Sequence, residues 1–556
     1  MKTTLLLNTF AHLRIRGDHR DQCRRSRVID HTGWAQTPQF RQCVQGDERT
    51  PSARAQAPLC GVSLKRLALL VLLAGASGAS SAESITIDAN APTRPFPHVW
   101  EQTFGSGRAN LSLRQSWRQD LKTVKQATGF QFVRFHAIFH DENGVYREDG
   151  QGHPIYNFSY VDQIYDGLLE NGVRPFVELS FMPKDLAASQ TPHAFWYKPL
   201  PAPPKDYAKW AGLIRAFAEH LVARYGIEEV SRWIFEVWNE PNIDFWTGDP
   251  KEPTYYQLYD AAAGALKQVS PRLRVGGPAT AQAAWIDRFI DHCVKTKAPV
   301  DFVSTHVYAN DSAEDVFGTH ESINRHDMVG RSVRKVYEQV KHSSRPDLPI
   351  YWSEYNASYA NEVNITDSAY MGPWLANNIR ECDGLTAMMS YWSFSDVFEE
   401  QGILTTPFYG GFGLIAAGGI PKASFNAFVL LHKLGDRRIP LDSLSALATK
   451  RSDGSLAIAV WNYVEPGESG APLVFHIRID GLSGSYTART RGVDPAHGST
   501  LDAWRTMGSP AEPTREQQRA LRMAAKLAPP MVRPLGGALT LTVPAHGLVL
   551  VEVSPK

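Results

Sequence analysis

Two glutamates stand where an apolar run ends. FEVWNEPN (residues 235–242) closes a stretch of β-branched and aromatic residues with Asn239, Glu240 and Pro241, and PIYWSEYNAS (residues 349–358) closes another with Glu354, Tyr355 and Asn356. One such ending is a weak signal. Two, 114 positions apart (240 to 354), suggest a pair. Paired carboxyls can cleave a glycosidic bond, one protonating the departing oxygen while the other acts from the opposite side of the anomeric carbon. In a retaining arrangement they stand about 5–5.5 Å apart and the second is the nucleophile. Ionised Glu354 would keep Glu240 protonated by like-charge repulsion. Esterification of Glu354 would remove that repulsion and free Glu240 to act as base.

Such a pair needs elements that bring it together. From residue 96 to 435 short apolar runs alternate with amphipathic stretches. The runs are VWEQTFGSG, FQFVRF, VRPFVELS, RWIFEVW, LRVGG, DFVSTHVY, PIYWSEY and LTAMMSYWSF. Between them lie helical patterns, clearest where Trp210, Leu213, Ile214, Phe217, Leu221 and Tyr225 recur at helical spacing. Eight strands alternating with eight helices predict an α/β fold, a (β/α)₈ TIM barrel, in which residues at the C-terminal strand ends face the active site. A doubly wound open sheet is the alternative, and the missing dinucleotide fingerprint counts against it. In the barrel Glu240 ends the fourth strand and Glu354 the seventh. His306 and Tyr308 end the sixth, and Arg134 and His136 the second. Residues 436–556 change pattern to short strand-like runs separated by turns, predicting a C-terminal β-sandwich domain, with TREQQRALRMAAKL as one inserted helix. The strand-like ESITIDA within residues 83–95 is expected to pair with that second domain.

Composition narrows the chemistry. A formal net charge of +1 over 556 residues gives no global field for nucleic acid or an anionic membrane surface. There is no H-E-x-x-H, no paired C-x-x-C and no Gly-rich phosphate loop, so neither a metal nor a cofactor is expected. Residues 65–83, KRLALLVLLAGASGASSAE, have the layout of a secretory signal, with a Lys-Arg pair, a short apolar core and a small-residue end. Its apolar run is too short for the ~20 residues that span a bilayer. We therefore expect a signal peptide at 62–82, a preceding 1–61 extension that is untranslated or disordered, and a periplasmic or secreted product with no membrane attachment after cleavage. Cys23, Cys43 and Cys60 would leave with the leader, and Cys293 and Cys382 make no disulfide framework.

The motifs EVWNEPN, YWSEYN, GSGRANLSL, VRFHAIF and MSYWSFSDVFEE followed by YGGFGLI resemble glycoside hydrolase family 39, the β-xylosidase and α-L-iduronidase family, over about residues 96–435. The resemblance implies Glu240 as acid/base and Glu354 as nucleophile. It also implies that Asn239 hydrogen-bonds the sugar 2-hydroxyl, and that His136, His306, Tyr308, Trp392, Glu399 and Glu400 line the site of the cleaved sugar. Ala137 departs from the pattern, since many relatives carry Gly there. The expected activity is retaining exo-hydrolysis of terminal β-D-xylosyl residues from xylo-oligosaccharides. An endo-acting exopolysaccharide hydrolase and an α-L-iduronidase-like enzyme are alternatives within the class, and a non-catalytic periplasmic sugar-binding barrel is the alternative outside it. Other readings are structural. A strand-end histidine is as often a satisfied structural group as a ligand-binding one, Arg134 is expected to pair with an acidic neighbour such as Glu178, and Asp396 to cap a turn.

Overall fold

The computed structural model describes residues 81–556. The expected 1–61 extension and nearly all of the 62–82 signal lie outside the described residues. The eight apolar runs form eight parallel strands: β1 (Thr103–Arg108), β2 (Phe132–His136), β3 (Arg174–Leu179), β4 (Ile234–Val237), β5 (Arg274–Thr280), β6 (Phe302–Tyr308), β7 (Ile350–Asn356) and β8 (Met388–Tyr391). Each pairs in parallel with its sequence neighbour and β8 pairs with β1, closing a (β/α)₈ barrel. Helices cross back between them. The one after β3, Tyr207–Tyr225, is started by Asp206, whose side chain accepts from the Ala208 and Lys209 amides. Its Trp210, Leu213, Ile214, Phe217 and Leu221 are buried, the stripe that its helical period predicts.

Period-two alternation stacks the barrel interior in layers. Phe176, Ile234, Phe302, Tyr351 and Met388 cluster as an apolar plug, with Phe132 packed against it. Two residues further along, β2, β3 and β4 place Arg134, Glu178 and Glu236 in the next layer, all fully buried. His136 lies two above Arg134, and on β6 His306 and Tyr308 lie four and six above Phe302. A greasy floor thus carries a charged layer, and the C-terminal strand ends sit on top.

Beyond the barrel lies a sandwich of two sheets. Seven strands run in the order Arg94–Pro95, Arg437–Ile439, Ala446–Lys450, Leu456–Trp461, Leu548–Pro555, Tyr486–Val493 and Met531–Leu535. The second sheet has three, Ser81–Asp88, Leu473–Asp480 and Ala538–Val543, with the first two parallel. Both faces of the larger sheet are covered. In Leu456–Trp461 the even members Leu456, Ile458 and Val460 join the core between the sheets, while Ala457, Ala459 and Trp461 join the barrel core beside Trp374 and Phe428. The continuous apolar run LAIAVW is what burial on both faces demands. The inserted helix is Arg515–Ala524, started by a Thr514–Gln517 capping box, and a short helix that the pattern did not announce, Leu501–Thr506, precedes it. Cys293 and Cys382 are free and buried. Among the described residues no helix is long and apolar enough to cross a membrane.

Candidate active site

Glu240 stands three residues beyond the end of β4, on a turn with Trp238 at φ +73° and Glu240 at φ +43°. The turn is tied to β5, because the Glu240 amide donates to the Ala279 carbonyl at 2.8 Å and Asn242 exchanges two hydrogen bonds with Ala281. Glu354 lies within β7 itself. One oxygen of each carboxyl and a ring nitrogen of His306 lie within 4.8 Å of one another. So close an approach fits a direct attack by the second carboxylate better than the separation of about 6.5–9.5 Å that inversion uses to admit a water.

Arg134 organises the layer beneath. Its guanidinium donates to Glu236 Oε2 at 2.6 Å, Glu354 Oε1 at 2.6 Å and Asn239 Oδ1 at 2.9 Å, and lies 2.9 Å from Glu178 Oε2. The expected Glu178 pairing is present, but it is one of three carboxylate contacts. Burial opposes the Arg134 charge, while Glu236, Glu178 and Glu354 more than restore it. With its Oδ1 occupied by Arg134, Asn239 can turn its amide NH₂ toward the sugar. Glu236 had no local signal beyond its position two above Ile234 in a strand, and its importance follows from an arginine 102 residues away.

The two carboxyls are held in different states. Burial, then the charge of Glu354, push Glu240 well above the ordinary carboxyl range. Glu354 is also pushed up by burial, but Arg134, His136 and the Tyr308 hydroxyl all pull it back. The proton shared by the pair therefore belongs on Glu240. Tyr308 donates to Glu354 Oε2 at 2.7 Å, and burial keeps its phenol protonated. His306 Nδ1 lies 2.9 Å from Glu240 Oε1 and its Nε2 lies 3.1 Å from Ser353 Oγ. Burial, with Arg134 and His136 nearby, pushes His306 well below the usual imidazole range, so it stays neutral. His136 is the opposite case. Burial disfavours its charge, yet Glu178, 2.7 Å from Nδ1, and the carboxylates beyond it raise its pKa.

Trp392 closes one side, its ring 4.8 Å from that of His136 and 5.7 Å from the Arg134 guanidinium carbon. Gly105 is needed for this fit, since a Cβ there would sit 1.9 Å from Trp392 Cε3. Of the acidic pair only Glu400 faces the site. Its Oε1 is buried without a hydrogen-bond partner, 3.6 Å from His136 Nε2, and burial pushes its carboxyl up to about 8. Glu399 is turned away. At φ +63° its carboxylate meets Arg114 and, at 3.3 Å, Arg108, so it holds the loop rather than facing the carboxyl pair. Asp396 does more than cap a turn. It accepts from the Gly413 amide at 2.7 Å and shares the fully buried Lys422 ammonium with Asp367, both at 2.6 Å. Among the described residues two His/Glu groupings have the spacing of metal ligands, Glu240–His306–Glu354 and His98–Glu101–His432. In both, imidazole nitrogens are already hydrogen-bonded to the carboxylates.

Ala137 follows His136 in a left-handed conformation, φ +69°, with its amide donating to Ser180 Oγ at 3.1 Å. That backbone accounts for glycine being acceptable at the position. Ala137→Gly should be nearly neutral, because relief of about 1–2 kcal/mol of backbone strain is offset by about 0.8 kcal/mol of lost methyl burial and about 0.5–1 kcal/mol of extra backbone entropy lost by glycine. Ala137→Val should cost about 2 kcal/mol or more, since a β-branched residue suits neither this φ nor a filled site. Denaturant midpoints of the three proteins check both.

The chain is similar to known proteins over most of its length. The sequence profile of Glycosyl hydrolases family 39 matches residues 83–536. A β-xylosidase of Geobacillus stearothermophilus is 37% identical over 440 residues, 77% of this chain and 86% of its own length. A β-xylosidase of Caldicellulosiruptor saccharolyticus is 37% identical over 455 residues, 80% of this chain and 91% of its own. The crystal structure of a monomeric β-xylosidase from Caulobacter crescentus CB15 superposes with a TM-score of 0.78 at 34% identity, covering 85% of this chain and 99% of that one.

Proposed function

The chain belongs to glycosyl hydrolases family 39 and is a glycoside hydrolase, and from that premise we propose that it removes single β-D-xylosyl residues from the non-reducing ends of xylo-oligosaccharides with retention of configuration. The observation that carries the reading is the close approach of Glu240 and Glu354, with the proton assigned to Glu240. In the first step Glu354 attacks the anomeric carbon, and the C–O bond to the leaving sugar breaks as Glu240 gives its oxygen a proton. An α-xylosyl ester on Glu354 results. Loss of the Glu354 charge then lowers the pKa of Glu240, which takes a proton from water as that water opens the ester and returns β-xylose. Tyr308 and Arg134 hold the Glu354 carboxylate, His306 holds Glu240, and Asn239, His136, Trp392 and Glu400 meet the sugar.

Chain-end action is supported by burial, since neither catalytic glutamate exceeds 8% exposure as a residue. A cleft for an internal segment would leave them open along its length. A neutral sugar is supported by the cations, which have no charge to spare for a uronate. Arg134 is engaged by three carboxylates, Arg108 by Glu142 and Glu399, Arg114 by Glu399, and Lys422 by two aspartates. A panel of aryl β-D-xyloside, β-D-glucoside and α-L-iduronide, with proton NMR of the first-formed sugar, tests the proposal. Fastest cleavage of the xyloside with β-xylose appearing first is expected. Initial α-xylose would overturn retention, and faster cleavage of the glucoside or the iduronide would overturn the substrate. We also propose export to the periplasm or beyond, on the signal layout at 62–82. N-terminal sequencing of native protein should then find a start near Glu83.

A further inference from the structure

We propose that Trp196 is the platform on which the leaving-group sugar stacks, so that recognition beyond the cleaved residue depends on one exposed indole. The inference rests on the exo-glycosidase reading above. Trp196 is the one exposed tryptophan among the described residues, at 56% exposure; the others are buried or partly buried. Its place is more telling than its exposure, since single apolar side chains on a surface are common. The segment that carries it follows β3 and runs between the two loops that bear carboxyls. At one end the His193 ring stacks on Phe245 at 4.3 Å, and Phe245 lies five residues after Glu240. At the other the Trp196 amide donates to the Glu400 carbonyl at 2.8 Å. Between them Phe195 packs 5.2 Å from Phe245 and its ring centre lies 6.5 Å from that of His136. Phe195 therefore borders the sugar pocket, and Trp196 is the next residue outward.

The ring is also backed. A Cβ on Gly402 would lie 3.5 Å from Trp196 Cε3, and Gly402 has φ +115°, a conformation that other residues rarely adopt. The indole thus rests on bare backbone and keeps surface free to solvent. A chain end that fills a blind pocket must send its next unit out past Glu240 toward the rim. A β-xylopyranosyl unit carries its hydroxyls equatorially, so both ring faces are C–H surface suited to a flat aromatic. Trp196 meets that unit without touching the reacting atoms.

The test compares xylobiose with methyl β-D-xyloside, whose one-carbon leaving group cannot reach the rim, in the wild type, Trp196→Ala and Trp196→Phe. Trp196→Ala should lower kcat/KM for xylobiose about tenfold and for the methyl glycoside by less than about twofold. Trp196→Phe should recover most of the xylobiose activity. Activity on the methyl glycoside also reports that the variant is folded. Equal loss on both substrates, or no loss on xylobiose, overturns the proposal. If the wild type cleaves neither xyloside, the functional reading fails instead, and the same comparison on whichever disaccharide and methyl glycoside it does cleave decides the role of Trp196.

Discussion

Glu354→Gln is expected to cut turnover of a β-xyloside by about 10⁴-fold or more, because without a nucleophile no glycosyl ester can form. The fold should survive, since Arg134 keeps Glu236 and Glu178 when Glu354 loses its charge. Cutting the side chain back to Ala opens the α face of the anomeric carbon to a small anion. Azide should then displace the leaving group that Glu240 protonates, with inversion, and the product should be the α-glycosyl azide. Stereochemistry assigns the nucleophile independently of any rate. A Glu354→Gln enzyme that turned over xylobiose at the wild-type rate would remove Glu354 from the mechanism.

Glu240 should fail differently. Glu240→Gln should slow xylobiose by about 10²–10⁴-fold, the usual contribution of a positioned acid, while activated aryl xylosides, which depart without a proton, lose far less in their first step. With Glu240→Ala and an activated substrate, azide should take the place of the assisted water and open the Glu354 ester from the β face. The product is then the β-glycosyl azide, opposite to that from Glu354→Ala. The pH profile supplies a second readout. Activity needs Glu240 protonated, and its pKa is raised, so the wild type should stay active toward neutral pH and decline as pH climbs through that pKa. The acidic limb belongs to Glu354, which must be ionised. Glu240→Gln should flatten the alkaline limb and keep the acidic one. If that limb were unchanged, another group would be the acid.

What could be read in the sequence depended on how far each residue's partners lie along the chain. Glu240 and Glu354 were legible because each closes an apolar run, and a barrel turns a strand end into a place in the site. The lack of alternation in LAIAVW, which leaves no face for water, is the signal of double burial in the larger sheet, where the pattern of residues 436–556 predicts only a sandwich strand. Glu236 was not legible, because nothing near RWIFEVW reveals that Arg134 reaches across from another strand. Glu399 was misplaced for a different reason. Adjacent acidic residues look equivalent on paper, but a left-handed backbone at Glu399 sends one toward Arg108 and Arg114 and leaves the other at the pocket. For Asp396 the missing partner was Lys422, which arrives on the far side of a loop and only then turns an aspartate into an ion-pair anchor.

The parallel pairing of Ser81–Asp88 with Leu473–Asp480 also sets a timetable. Glu83 meets Phe475, 392 positions later, so the earliest described strand leaves the ribosome long before its neighbour exists. At roughly 5–20 residues per second the wait is on the order of 20–80 s. For most of it Ile85 and Ile87, both buried in the finished protein, lack the residues from Ile439 onward whose core they join, and the strand is an open edge for wrong partners. The molecule cannot finish folding until almost all of it has been made.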